Sequence, residues 1–234
     1  MRVLDTTFSL LTFWQHLVFT EAALLAHADT VALAAPFTTL LDAFEGMHSA
    51  DLKTRRGAIQ AQARAVIADM NVDDGLRKLH SDTLSEVTQD REHPIFKALF
   101  ESDIAATIRF ALARQLTTAL TIVENLALSL IPAALKSHVD TLKKLIEAGQ
   151  VVLKGRSTAA FERTESNLAS GAWKDDVNAV RLSTYGALLG VAAKTRRSKV
   201  WAESFFSQSP EPRESVDTDT DNGTPPVTPT PEVV

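Results

Sequence analysis

Apolar residues recur at helical spacing from residue 3 to about residue 206, and no run alternates as a half-buried strand would. Interruptions of that pattern predict about seven or eight helices. The first covers about 4–28, and the second, opened by Pro36, about 36–47. Two more span about 50–70 and 73–89, parted at "NVDDG" (71–75), where Asp73 is placed to cap the next helix. "REHPIF" (91–96) is another break, because a residue that precedes proline avoids helical geometry. Beyond it come helices at about 102–130, 132–149, 150–169 and 174–206, the last two separated by "SGAW", with a break near Thr195. The predicted architecture is all-α: a multi-helix bundle over 1–206 with a point of sub-division near 90–101.

Within 102–130, Ser102 is the expected N-cap, and Ile104, Ile108, Leu112, Leu116, Leu120, Ile122, Val123 and Ala127 fill about half the helical circumference. So broad an arc predicts a central helix with two or more neighbours. Arg109 falls inside the arc, where it must be paired or extend its charge outward. The final helix has a different signature. Ala179, Ser183, Gly186 and Gly190 form a stripe of small residues between two apolar faces. A helical glycine costs about 1 kcal/mol relative to alanine, so the stripe predicts a tight packing seam inside the bundle. The uncharged run there, Leu182–Ala193, is too short to span a membrane, as is Thr6–Thr20.

Residues 207–234 break the helical pattern. They are rich in Pro, Ser, Thr, Asp and Glu and lack the apolar content of a core, so an acidic, disordered tail is expected. The tail holds six acids against Arg213, which accounts for the whole net charge of −5 and leaves 23 basic and 23 acidic residues over 1–206. A neutral body argues against nucleic acid as a partner. Charge is nonetheless uneven: nine bases stand against four acids over 151–200, and Lys194, Arg196, Arg197, Lys199 and Trp201 form a candidate basic, aromatic patch. With no cysteine, thiol catalysis, thiolate metal sites and disulfides are excluded, and a cytoplasmic setting is expected. An export signal is not expected either, because Asp5, Gln15, His16 and Glu21 interrupt the N-terminal apolar run.

Motifs of known chemistry are incomplete. "DTDTDNG" (217–223) has its glycine one residue late for a calcium loop, and Thr228 stands where a bidentate Glu is needed. "GQVVLKGRST" (149–158) has its glycines too far apart for a phosphate loop and no strand before them. Glu45 and His48 make one Glu-x-x-His, whereas a di-iron bundle needs two such pairs and two further glutamates. No cofactor or metal is therefore expected. One polar cluster is a candidate site: Arg91 and His93 at the 91–96 break, with Asp176, Asn178 and Arg181 one turn apart in the last helix.

These features predict a non-catalytic interaction or scaffold protein that binds a protein partner or itself, with a regulatory or docking tail. The alternative is a peripheral protein of an anionic membrane or granule surface, binding through amphipathic helices. An enzyme remains a residual class, resting on the polar cluster. In the first view the acidic tail screens the basic patch. Deleting 207–234 is then expected to raise binding to anionic vesicles at low salt, measured by co-sedimentation; equal binding by both forms counts against screening.

Overall fold

The computed structural model describes residues 3–100 and 104–207, and these are helical with no strand. Helix α1 (Leu10–Leu25) is capped by Ser9, whose hydroxyl accepts from the Thr12 N–H at 3.1 Å. A short 3₁₀ turn (Val31–Leu33) leads into α2 (Ala35–Glu86), 52 residues long. The short helices α3 (Pro94–Leu99) and α4 (Ile104–Thr107) precede α5 (Leu112–Leu126). After α6 (Ala133–Lys136) comes α7 (Val139–Lys194), 56 residues long, and then α8 (Lys199–Glu203).

Two long helices thus replace most of the shorter ones that local signals predict. Neither "NVDDG" nor "SGAW" interrupts its helix. Both lie within a heptad of packed positions, and tertiary packing overrides the weak local preference for a turn. On α2 the repeat is Phe37, Phe44, Asp51, Ala58, Ala65, Val72 and Leu79, joined by Leu40, Met47, Thr54, Ala61, Ala68 and Gly75; none of these is exposed. Asp73 caps nothing, since its carboxylate accepts from Gln115 Nε2 at 2.9 Å. On α7, Leu142, Gly149, Arg163, Ser170, Val177, Thr184 and Val191 hold the equivalent row, with Arg156 its one exposed member. The break expected near Thr195 is present, with Thr195 as C-cap and Arg196 at φ 55°.

The helices run antiparallel. Leu40 meets Trp173, Asp51 meets Arg163, and Asp82 meets His138, so positions rise on one helix as they fall on the other. Two separate apolar clusters form at the ends. One joins Val72–Val87 of α2 to α3, α5, Ile131, Leu135 and the start of α7. The other joins α1, Phe37 and Phe44 to Trp173, Val177, Leu188 and Phe205–Phe206. Between Met47 and Ala68 the long helices form a stalk of about 30 Å at ~1.5 Å per residue, flanked near Asp51 by the segment that leads into α1. Both clusters share α2 and α7, and residues on both sides of 90–101 belong to one of them.

The broad-arc helix begins at Leu112, with Leu116, Ala119, Ile122, Val123 and Leu126 buried against its neighbours, whereas Leu120 stands 43% exposed. Arg109 lies in the turn before it and is exposed, so it has no burial to offset. Ser102, the expected cap, and the tail beyond Ser207 lie outside the described residues.

Glycine has a packing role at two places in the heptads. A Cβ on Gly149 would stand 2.7 and 2.9 Å from the Leu116 methyls, and one on Gly75 would stand 2.7 Å from a Leu145 methyl. Gly155 has nothing within 4 Å. Gly155→Ala should therefore stabilise the chain by about 0.5–1 kcal/mol in urea unfolding. Gly149→Ala should forfeit that gain and destabilise by about 1 kcal/mol or more, because Leu116 must withdraw.

Candidate functional site: the stalk and its polar cleft

Halfway along the seam the apolar packing gives way to charge. Asp51 is 4% exposed and pairs with Arg163 of α7, while Arg55 Nε donates to its other oxygen at 2.8 Å. Burial pushes the Asp51 carboxyl up, but the two arginines outweigh it and hold it below the usual carboxylate range. A buried ion pair adds little net stability and much geometric specificity, which suits a position that sets helix register.

This pair forms the floor of a cleft of about 760 Å³ between the stalk and the segment that leads into α1. Its cations are already engaged. Lys174 Nζ donates to the carbonyls of Thr6 (2.8 Å) and Phe8 (2.6 Å), and both arginines hold Asp51. His48 stacks on Phe44 at 5.2 Å with its Nδ1 buried and without a hydrogen-bond partner, as is Ser170 Oγ. Among the described residues lining the cleft, no nucleophile, base and orienting group stand in hydrogen-bonded series.

The candidate polar cluster is not brought together. Arg91 is exposed in the turn after α2, and His93 caps α3 by accepting from the Ile95 N–H at 3.2 Å. Both lie at one end of the rod, and Asp176, Asn178 and Arg181 lie at the other. Asp176 is exposed. Asn178 ties down the N-terminal segment, donating to the Leu4 carbonyl and accepting from its N–H, both at 3.0 Å. Arg181 is 1% exposed, and its Nε and Nη1 have no hydrogen-bond partner; the guanidinium lies 5.1 Å from the Phe206 ring centre.

The candidate basic patch is partly consumed by the fold. Arg197 pairs with Asp29 at 3.7 Å, contacts His27 and stacks over Trp201 at 4.6 Å, while Lys199 pairs with Glu203 at 3.6 Å. Trp201 packs edge-on against His27 and Phe205. Lys194 and Arg196 are exposed. The small-residue stripe needs correction, because Ala179, Ser183, Gly186 and Gly190 are all exposed, and neither glycine has an atom within 4 Å of a Cβ position. The chain's own fold does not use it as a seam.

Sequence reasoning placed an apolar face beside that stripe but missed that it is exposed and that it extends back to Phe161. On the outer face of α7, Phe161 (63%), Leu168 (70%), Leu182 (58%) and Leu189 (36%) stand in solvent. On α2, Leu52, Ile59 and Val66 do so seven residues apart, with Ala63 and Met70 between and after them. A search for second heptads, offset from the first, is the signal that finds both rows. Compared with protein families, curated proteins and solved structures, the chain matches none.

Arg181 also makes stability depend on pH. Burial, and then the charge of Arg181, lower the pKa of His16 from 6.5. The unfolded chain therefore takes up this proton first, and stability falls as pH drops below about 6.5. Burial lowers Arg181 itself to about 10. Arg181→Met is expected to stabilise the chain by about 1–2 kcal/mol at neutral pH, the unsatisfied donors outweighing the lost ring contact. It should also flatten the loss between pH 6.5 and 5 without abolishing it, since burial of His16 remains. Urea midpoints across that range measure both effects.

Proposed function

We propose that this chain is a non-catalytic interaction or scaffold protein, a helical rod that docks other helices along its exposed apolar faces. One observation carries the proposal: large apolar side chains stand in solvent at seven-residue spacing on both long helices. Single exposed apolar residues are ordinary, whereas contiguous rows of them mark association surfaces. A groove of about 410 Å³ lies next to Val66 and Met70 of the α2 row, with Ile67, Ala68, Leu145, Ala148 and Val152 in its walls. Apolar side chains of a docked helix, spaced three and four residues apart, suit such a groove. No cofactor enters this reading, and a cysteine-free chain suits a cytoplasmic setting.

The membrane-surface alternative draws on α1, where Leu11, Trp14, Val18, Phe19 and Leu25 face outward. A helix that lies on an anionic bilayer carries cations beside its apolar face. Helix α1 contains neither Lys nor Arg, which favours a protein partner. Among the described residues no helix is long and apolar enough to cross a membrane.

The combined variant Ile59→Gln, Val66→Gln, Phe161→Gln and Leu168→Gln tests the proposal. Each change should alter unfolding free energy by no more than about 0.5 kcal/mol. Proteins retained by the immobilised wild-type chain, its own copies included, should be lost from the variant. The wild type should not float with vesicles of phosphatidylcholine and phosphatidylglycerol. Flotation, or equal retention by the variant, overturns the proposal.

A further inference from the structure

Helix α7 carries a second heptad, about 160° around the helix from the one that meets α2 at ~100° per residue. One row of it is Phe161, Leu168, Asp175, Leu182 and Leu189; the other is Glu165, Ala172, Ala179, Gly186 and Ala193. All ten are exposed, so α1, α2 and α8 leave this face uncovered along its length. The rows cover more than four heptads, about 48 Å of helix, and a repeat sustained over three or four heptads already specifies a coiled coil.

The order of sizes points to the occupant. Four of the five residues in the first row are large and apolar, and four of the five in the second are Ala or Gly. An antiparallel pair of such helices sets each row against the other. Phe161 then meets the partner's Ala193, Leu168 the partner's Gly186, and Leu182 the partner's Ala172. Three of the five layers thus set a large side chain against a small one, while Asp175 meets the partner's Ala179 and Leu189 meets the partner's Glu165 at the end of the contact. A parallel pair would instead stack Ala179 on Ala179 and Gly186 on Gly186, leaving those layers unfilled, and set Asp175 on Asp175, a like-charge contact. End charges agree with the antiparallel choice: Glu162 and Glu165 lie at one end, and Lys194 and Arg196 at the other, all exposed. Antiparallel pairing brings acidic ends to basic ends, and two-fold symmetry doubles each contact.

We infer that the outer face of α7, from Phe161 to Ala193, binds the same face of a second copy of this chain, antiparallel about a two-fold axis near Val177. The inference deepens the docking reading above and rests on it. Gly186, open in the single chain, acquires a packing role under the partner's Leu168.

The absence of cysteine makes the geometry directly testable on the full chain. Sedimentation equilibrium should give a dimer in the micromolar range, and Leu168→Glu with Leu182→Glu should halve the sedimenting mass with the helical circular dichroism retained. An equimolar mixture of Leu168→Cys and Gly186→Cys chains should form a disulfide-linked pair under mild oxidation, while either variant alone should not. Self-linking of each single variant would show parallel pairing and overturn the antiparallel geometry. A wild-type monomer that still retains other proteins on immobilisation overturns the second copy as occupant and leaves the docking reading standing. A monomer that retains nothing overturns both.

Discussion

One constraint governs the molecule: two helices of more than fifty residues must stay in register over their whole length. The ends supply the apolar surface, with Phe37, Phe44 and Trp173 on one side and Val72, Leu76, Leu79, Leu142 and Ile146 on the other. The middle supplies little. Ala58, Ala61 and Ala65 present a single methyl each, and a buried methylene or methyl contributes about 0.8 kcal/mol. Small residues bring the helices close and leave their relative sliding weakly opposed. Asp51, held by Arg163 and Arg55, opposes it through charge. A one-heptad slip could set Asp51 against Arg156 instead, so the ion pair alone leaves two registers open. Gly75 under Leu145 and the Trp173 Nε1–Leu40 carbonyl bond (3.2 Å) oppose the second. Register is therefore set jointly by the centre and both ends.

The two ends are built differently. Around Leu76 and Leu126 the buried cluster is mostly apolar; Thr83 donates to the Leu79 carbonyl at 2.8 Å, Asn125 to the Ala98 carbonyl at 2.8 Å and Gln115 to Asp73 at 2.9 Å, while Gln115 Oε1 is buried without a hydrogen-bond partner. The other end encloses His16, Arg181 and Thr184 among aromatic rings. Burying a guanidinium with unsatisfied donors costs more than burying a leucine in its place. That end also holds the N-terminal segment through Asn178 and Lys174, and α8 through Tyr185, whose hydroxyl donates to Glu203 at 3.2 Å. These polar contacts add to an apolar cluster that already joins the N-terminal segment and α8 to α7 through Leu4, Phe205 and Phe206.

Helical content was legible because periodicity is a local property, and the break at Thr195 was legible because the apolar repeat ends there. The false breaks at "NVDDG" and "SGAW" came from the same local rules. Asn, Asp and Gly favour turns when nothing else acts on them, but here Gly75 lies under Leu145, and Trp173 is buried against Phe13 and Phe44. The polar groups at 91–93 and 176–181 could not be related in space without knowing that the helices between them are unbroken. Unbroken helices place the two groups at opposite ends of the rod.

The stripe at Ala179, Ser183, Gly186 and Gly190 shows the limit most clearly. Its spacing was read correctly and its location was not, because spacing reports that a helix face is suited to packing and is silent on whether this chain supplies the neighbour. Helix α7 is apolar on two opposite sides, and such a helix must be enclosed or joined from outside. The described fold covers one side. Heptads on both sides, mostly large residues in one outer row and mostly small ones in the other, are the pattern on which the inferred antiparallel pairing rests. A long rod with weak central packing gains from that arrangement, since a second helix laid along α7 from Phe161 to Ala193 spans the polar centre and the α1 end together. Under the inferred pairing the second helix reaches the stalk near Arg163, where it borders the end that buries Arg181 with unsatisfied donors.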